Sequence, residues 1–247
     1  MLQFSIITVT YQNVLGLEKT LNSLSKFNKD IYELIIVDGG SKDKTLQVIK
    51  ENNNLINKWI SQPDKGIYDA MNKGIELVNN KHNIISFLNA GDIALKSYFE
   101  EAKKSFLQNK NIDYCYGGVV LVGKKKQSLY IPKIFDHKSE YLQRMPFPHP
   151  ALFVKKSVFH KIGGFNLNKK ITADHEWCVR LIKSGAKGDR INSALVKFEL
   201  GGASLKLRTQ YEVFQTALKY NRNIILATIF FIRQLISYFY YFVKSKF

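Results

Sequence analysis

The chain has little of what commonly staples or tethers a protein. Its 247 residues include two cysteines, Cys115 and Cys178, far apart and without metal-type spacing, which excludes a disulfide framework or a zinc knuckle. Both are expected as buried thiols in a reducing compartment. No Gly-x-Gly-x-x-Gly follows a strand-like run, which excludes a dinucleotide-binding oxidoreductase. No charged region or cleavage site precedes the first apolar run, so no secretory signal is expected and the expected location is cytoplasmic. Acids are scarce, 20 against 37 Lys and Arg, and the net charge of +17 favours a polyanionic partner such as nucleotide phosphates, anionic headgroups or nucleic acid.

What is present is the makings of a core, with 45% hydrophobic residues in a chain long enough for one sizeable α/β domain. Phe4 to Thr10 and Tyr32 to Val37 are apolar, β-branched runs that read as strands of a buried sheet, ended by the turn formers Tyr11-Gln12-Asn13 and Asp38 to Asp43. Leu17, Leu21, Leu24 and Phe27 have helical spacing, and a second helix is expected from Thr45 to about Asn52. Trp59 to Ser61 is a short strand. Ile67, Met71, Ile75 and Val78 then form the apolar stripe of a helix that also carries Tyr68, Asp69, Asn72 and Lys73. Strand, helix, strand, helix in short succession predicts a mostly parallel sheet with right-handed crossovers.

The run Asn83 to Asp92 is the stretch on which the chemistry is expected to hang. Its first part suits a buried strand, and Asn89-Ala90-Gly91-Asp92 is a turn ending in a carboxylate. Ligands of open α/β sheets sit beyond the carboxyl ends of the strands, so Asp92 is expected to project into that crevice. The bland alternative is an Asp that caps the following segment. Small Ala90 and Gly91 would let phosphates approach the backbone.

Ser97 and Glu100 have the spacing of a capping box for a helix running to about Gln108. Tyr114 to Val122 and Gln127 to Ile131 flank a hairpin tip with Lys124, Lys125 and Lys126. The one proline-dense stretch, Met145 to Pro150, leads into a strand at Ala151 to Val154 and suits a pocket wall, where His149 would contact a substrate phosphate or hydroxyl unless it is satisfied locally. A helix over Ser157 to Ile162 and a turn at Gly163-Gly164-Phe165 follow. Thr172 is expected to cap a helix bearing Asp174, His175 and Glu176 in its first turn, with Trp177, Leu181 and Ile182 packing inward. Acids at a helix N-terminus are also favoured by its dipole, which is the bland reading of Asp174 and Glu176.

Taken together, Thr10-Tyr11, the stretch Val37-Asp38-Gly39-Gly40-Ser41 to Thr45, the stretch Asp64-Lys65-Gly66-Ile67-Tyr68-Asp69 to Gly74, Asn89 to Asp92, Gly163 to Phe165 and Ala173 to Leu181 resemble glycosyltransferase family 2. Order and spacing carry the resemblance, over roughly Phe4 to Ser204. It implies a GT-A fold, Rossmann-like with a mostly parallel sheet flanked by helices, a nucleotide-sugar donor, a divalent metal (Mg²⁺ or Mn²⁺) and inversion at the anomeric carbon. It also implies roles. Thr10 and Tyr11 touch the base, and Asp38 hydrogen-bonds the uracil or ribose. Lys65, Gly66, Asp69, Asn72, Asn89 and Ala90 line the donor, Asp92 holds the metal, and Asp174 is the catalytic base with Glu176 in reserve.

Two departures stand out: the usual Asp-Asp-Gly-Ser reads Asp38-Gly39-Gly40-Ser41, and the first acid of the metal motif is Asn89. The expected activity is an inverting single displacement from a UDP-linked donor to a lipid-linked or oligosaccharide acceptor in cell-surface polysaccharide biosynthesis, such as lipopolysaccharide or capsule. The alternative of a sugar-phosphate nucleotidyltransferase would need a Gly-rich, Arg-bearing loop after the first strand, where this chain has Tyr11-Gln12-Asn13. A non-catalytic nucleotide-sugar or nucleic-acid binder is the other alternative, although strand-end acids would repel nucleic-acid phosphates.

Residues 1–204 are expected as the catalytic domain and 205–247 as a helical extension. Ile224 to Val243 is as long as a membrane span, but Arg233 and Gln234 at its middle disfavour crossing. The aromatic cluster Tyr238 to Phe242 with Lys219, Arg222, Lys244 and Lys246 suits a helix lying on an anionic membrane surface, at the inner face of the cell membrane. Packing on the domain, or homo-oligomerisation through these helices, is the alternative.

Overall fold

The computed structural model describes residues 2–79, 81, 83–123, 126–133, 140–142, 144–199, 207–220 and 224–244. Lys124 and Lys125 of the hairpin tip, and Arg222 and Lys246 of the tail, lie outside them.

The chain runs β1 (Phe4–Thr10), α1 (Val14–Leu24), β2 (Tyr32–Asp38), α2 (Thr45–Glu51), β3 (Lys58–Ser61), α3 (Ile67–Leu77), β4 (Ile84–Phe87), β5 (Ile93–Ala94) and α4 (Tyr98–Gln108). It continues through β6 (Tyr114–Val122), β7 (Gln127–Tyr130), β8 (Leu152–Lys155), α5 (Lys156–Ile162), α6 (Ala173–Lys183), β9 (Gly188–Glu199), α7 (Leu207–Tyr220) and α8 (Ile224–Lys244). One sheet has the order β3-β2-β1-β4-β8-β6-β9-β5, with β7 paired to β6. Strands β3, β2, β1 and β4 are parallel, as alternating strands and helices predict. Beyond β4 the sheet is mixed, because β8 meets both β4 and β6 antiparallel while β6 and β9 run parallel.

All seven residues of β1 and of β2 are buried, as suits strands covered on both faces. Side-chain alternation divides them between two cores. Phe4, Ile6, Leu34 and Ile36 face α1 and α4, meeting Leu17, Leu21, Phe99 and Phe106. Ile7, Val9, Ile35 and Val37 face the other way, toward Met71 of α3 and Trp177 and Leu181 of α6. Both cysteines are buried and free.

Three local expectations are corrected. Of the expected stripe of α3, Met71, Ile75 and Val78 pack into the core, but Ile67 is 45% exposed and Tyr68, Ala70 and Gly74 join the buried face. Small residues decide this: a Cβ at Gly74 would lie 2.4 Å from Ile7 Cγ2, so only a bare Cα lets the helix lie this close to β1. Ser97 does not cap α4 through its side chain; its hydroxyl donates to Ala194 O at 2.8 Å. Thr172 likewise does not cap α6, since its hydroxyl donates to Glu212 Oε2 at 3.2 Å.

That glutamate joins α7 to the rest. Glu212 is buried, and its carboxylate accepts the N–H groups of Lys170, Ile171 and Thr172 at 3.1, 3.0 and 3.0 Å and the Arg208 Nε at 3.0 Å. The Lys169 ammonium donates to Glu212 O at 2.6 Å. Burial would raise the Glu212 carboxyl, but the Ile171 N–H, Arg208 and the neighbouring N–H groups outweigh it and hold it below its ordinary value. α8 packs on α7 through stacked Phe214 and Phe231 rings, 4.4 Å apart, and buried Ala227. Its other face leaves Ile225, Ile229, Ile232 and Ile236 exposed. Among the described residues no helix is long and apolar enough to cross a membrane.

Glu212→Ala strands the buried Thr172 N–H, worth about 1 to 3 kcal/mol when left unpaired, and removes the acceptor of the part-buried Lys170 and Ile171 N–H groups, which water can partly replace. A loss of roughly 2 kcal/mol or more, read as a fall in Tm of about 4 °C or more, is expected. Because the folded-state carboxyl is depressed, its contribution is complete above the unfolded pKa of about 4.3 and fades as pH falls through the folded value. A calorimetric scan showing Glu212→Ala within 1 °C of the parent, about a quarter of a kcal/mol, would refute this role.

Candidate functional site

The C-terminal ends of β1, β2 and β4 are lashed into one ledge by backbone hydrogen bonds. Gly39 N–H donates to Thr10 O at 3.0 Å, Ala90 N–H to Val9 O at 3.1 Å and Gly91 N–H to Gly16 O at 3.0 Å. Side chains finish the lashing. Gln12, in the left-handed region at φ +47°, donates its N–H to Ser41 Oγ at 2.8 Å. Asn13 accepts the Gly16 N–H that opens α1 and donates to Ala90 O. The Thr20 hydroxyl accepts the Gly91 N–H at 3.0 Å and donates to Asp92 O at 2.7 Å. Such density is what turns at strand ends require, since each leaves backbone donors without a ladder partner.

Two of the expected ligand acids brace this ledge, Asp38 through both oxygens and Asp92 through one. Asp38 is 0% exposed; its Oδ2 accepts from Gly40 N, Ser41 N and the Ser61 hydroxyl, and its Oδ1 from the Ser41 hydroxyl at 2.5 Å. The expected contact of Asp38 with a base or ribose would have to be made by a carboxylate that is fully buried and already holds the turn after β2. Asp92 does not project into a crevice. It is 5% exposed, accepts Asn89 N–H at 3.1 Å across its own turn, and burial pushes its carboxyl up to about 7. Thr10 is buried with its hydroxyl unpartnered among the described residues, whereas the Tyr11 ring stands 60% exposed.

A second loop covers the first. Gly40, at φ +83°, lies under Pro63, and Gln62 N–H donates to Asp38 O at 3.0 Å. A Cβ built on Gly39 would lie 2.6 Å from Asp64 Oδ2 and 3.2 Å from Tyr11 Cδ2. Lys65 and Gly66 are exposed where α3 begins, with Gly66 at φ +117°. Asp69 accepts Lys65 N–H at 3.0 Å, which holds its carboxyl below the usual range, and pairs with Lys73 at 3.3 Å. Asn72 is occupied at both ends of its amide by Phe165 N and Phe165 O, at 2.7 and 2.9 Å, so it fastens the Gly164-Phe165 turn rather than facing a ligand.

Asp174 is differently placed. It is partly exposed in the first turn of α6, and its Oδ1 accepts the Tyr68 hydroxyl at 3.0 Å and His175 N–H at 2.8 Å. Among the described residues nothing hydrogen-bonds Oδ2. Tyr68, which sequence reasoning passed over, also lies 2.5 Å from Ile171 O, and burial raises its phenol far above its ordinary value. The available signal was a hydroxyl-bearing aromatic at a buried helix position. His149 stacks on Phe87 with centroids 5.2 Å apart and abuts Phe165; burial lowers its pKa, with the Asp174 charge pulling the other way. Glu176 is buried and turned elsewhere. It binds Arg180 Nε at 3.0 Å, the Tyr220 hydroxyl at 2.5 Å and Lys219 at 3.5 Å, which leaves the reserve base no open oxygen.

The chemistry that the ledge can support is thus proton acceptance at Asp174 and recognition of a flat polar ligand beside Tyr11. A protein-held divalent metal fits poorly. Among the described residues no three His, Cys, Asp or Glu side chains come together. A neutral amide, Asn89, and the bare Gly91 flank Asp92, so this turn supplies a single acid to a cation. A hard cation prefers ionised oxygens.

Comparison with known proteins follows this geometry. The family model described as "Glycosyl transferase family 2" matches residues 5–175. A "PGL/p-HBAD biosynthesis glycosyltransferase" of Mycobacterium bovis is 29% identical over 211 residues, 81% of this chain and 78% of that protein. Among solved structures, S. aureus TarS has a TM-score of 0.68 at 17% identity, covering 92% of this chain, which spans 41% of TarS. The mannosyltransferase PcManGT from Pyrobaculum calidifontis, in complex with GDP-Man and Mn²⁺, has a TM-score of 0.67 at 15% identity over 93% of this chain and 69% of its own. These likenesses identify the fold as the GT-A arrangement, and the named relatives identify the activity as glycosyl transfer.

The Asp92 carboxyl yields a pH prediction. It is near 7 when folded against about 3.9 unfolded, so between these values the folded state holds the extra proton and stability falls as pH rises. Asp92→Asn keeps an acceptor for Asn89 N–H and removes the titration. Denaturant midpoints should show the variant gaining roughly 2 to 4 kcal/mol on the parent between pH 4 and pH 8. An equal difference at both pH values would show that Asp92 is not a buried, proton-retaining carboxyl.

Proposed function

This chain belongs to glycosyl transferase family 2, and we propose that it moves one sugar, with inversion, from a UDP-linked donor to a hydroxyl of a lipid-linked or oligosaccharide acceptor in cell-surface polysaccharide biosynthesis. The observation that carries this is Asp174, whose Oδ1 is anchored by Tyr68 and His175 while Oδ2 stays open. An acceptor hydroxyl is a weak nucleophile at neutral pH. A fixed carboxylate oxygen can take its proton as the oxygen attacks the anomeric carbon opposite the departing diphosphate, and single displacement needs only that one base. Tyr68 is a positioning residue for Asp174.

The donor reading is supported by TarS, crystallised with UDP-GlcNAc, and by PcManGT with GDP-Man. Mg²⁺ or Mn²⁺ is the cation the family implies, and when bound to a diphosphate it offsets charge on the leaving group. The ligand set here does not match it, so the contributions assigned to this chain are binding, orientation and proton transfer. Residues 1–204 form the catalytic unit in this proposal, with 205–247 as its extension.

Turnover across a panel of nucleotide-sugars tests the reading. Asp174→Asn should lower kcat by about 10² or more with donor affinity unchanged. Tyr68→Phe should lower kcat by about tenfold, again at constant donor Kd, as expected for one lost orienting bond. Full activity in Asp174→Asn would remove the base assignment.

The exposed Ile225, Ile229, Ile232 and Ile236 recur every three or four residues and so share one face of α8. With a net charge of +17, this supports a peripheral seat on an anionic membrane surface at the inner face of the cell membrane. A chain ending at residue 222 should still bind donor but no longer sediment with phosphatidylserine-containing vesicles, and high salt should partly release the full chain. A full chain that ignores vesicles and forms dimers lost on truncation would transfer that face to self-association.

A further inference from the structure

Where the family's usual stretch has a second acid, this chain has Gly39, and the space a side chain would occupy is already filled. Asp64 Oδ2 stands 2.6 Å from the position of a Gly39 Cβ, with Tyr11 Cδ2 3.2 Å from that same point. Gly39 is not in the left-handed region, so its bareness makes room rather than freeing the backbone. The loop that delivers Asp64 is held down by the Gln62 N–H to Asp38 O bond at 3.0 Å and by Lys73, whose ammonium donates to Pro63 O at 3.1 Å. Asp64 Oδ1 accepts Gly66 N–H at 2.7 Å. Among the described residues nothing donates to Oδ2, which lies beside the 60% exposed ring of Tyr11 at the end of β1.

We infer that Asp64 recognises the nucleobase of the donor: the base lies on the Tyr11 ring and donates its ring N–H to Asp64 Oδ2. The inference rests on the nucleotide-sugar reading above and assigns the recognising carboxylate to a different loop from the one the family resemblance implies. Asp38 is fully buried and already braced by Gly40, Ser41 and Ser61, whereas Asp64 is partly exposed. An aromatic face and an acceptor at its rim are what a planar base with an N–H edge requires, and a hydrogen bond to an ionised acceptor is stronger than a neutral one. Uracil presents one imide N–H, which Asp64 Oδ2 can take.

Calorimetric binding of UDP, N3-methyl-UDP and 2′-deoxy-UDP to the full chain and to Asp64→Asn tests this. Asn retains an oxygen for Gly66 N–H but turns the second acceptor into a donor. UDP affinity should fall about ten- to a hundredfold in Asp64→Asn, and N3-methylation should weaken binding to the parent by a similar factor. In the variant, N3-methylation should cost almost nothing further, while loss of the 2′-hydroxyl should cost the same in both proteins. The methylated ligand tests the idea on the parent even where the variant folds poorly. Equal UDP affinity in Asp64→Asn, an N3-methyl penalty undiminished in the variant, or coupling to the 2′-hydroxyl instead would overturn the assignment and leave the donor reading standing. A parent chain that binds neither UDP nor any UDP-sugar would overturn both.

Discussion

The buried carboxylate of Glu212 is the constraint on which the placement of Asp174 depends. Three successive backbone N–H groups, of Lys170, Ile171 and Thr172, converge on it just before α6 begins. A segment entering a helix has donors with no intrahelical partner, and burying them without an acceptor would cost more than the segment could recover. With Glu212 in place the strap has one conformation, and two residues later Asp174 meets Tyr68 from α3. The same helix α7 reaches α6 again through Tyr220 on Glu176. Helix α7 therefore belongs to the architecture of the site even though it lies beyond the residues matched by the family model.

A common physical theme runs through the acids. In a chain with 20 acids against 37 bases, most of those near the ledge neutralise backbone donors. Asp38 gathers the turn after β2, Asp92 closes the turn after β4, Asp69 holds the loop before α3 and Glu212 holds the strap before α6. Turns at the ends of buried strands and helices concentrate unpaired N–H groups, and a short side-chain carboxylate is the compact way to satisfy two or three at once. What distinguishes Asp174 and Asp64 from the fully buried Asp38 is that each is partly exposed and binds backbone donors through Oδ1 alone, leaving Oδ2 toward the rim. The arrangement also explains why a tightly held metal fits poorly here, since the turn at the family's metal position supplies a single acid.

Much of the fold was legible in the chain itself. Strands β1, β2 and β4 are unbroken apolar, β-branched runs, and such runs are stable only when covered on both faces, which commits them to a central parallel sheet. The order of the short motifs was enough to mark the glycosyl transfer. The two turns containing Asp38 and Asp92 were found as turns, and their position at strand ends was right. Composition, periodicity and turn chemistry are local properties, and they decided what local interactions decide.

Tertiary structure decided where the side chains of those turns point. The buried face of α3 differs from its apolar stripe because Gly74 lies against Ile7 across the sheet, a contact between residues 67 positions apart. Ser97 and Thr172 carry the residue types of helix caps, yet Ala194 and Glu212 from distant strands and helices take their hydroxyls. Whether a carboxylate is a ligand or a brace depends on which donors other segments bring to it. Asp38 and Glu176 are buried and held through both oxygens because Ser61 and Tyr220 reach them, and Asp64 has room because Gly39 has no side chain to displace it. Hydrogen-bond donors within reach of an acid are set by three-dimensional proximity, and that is a quantity the linear order of residues does not contain.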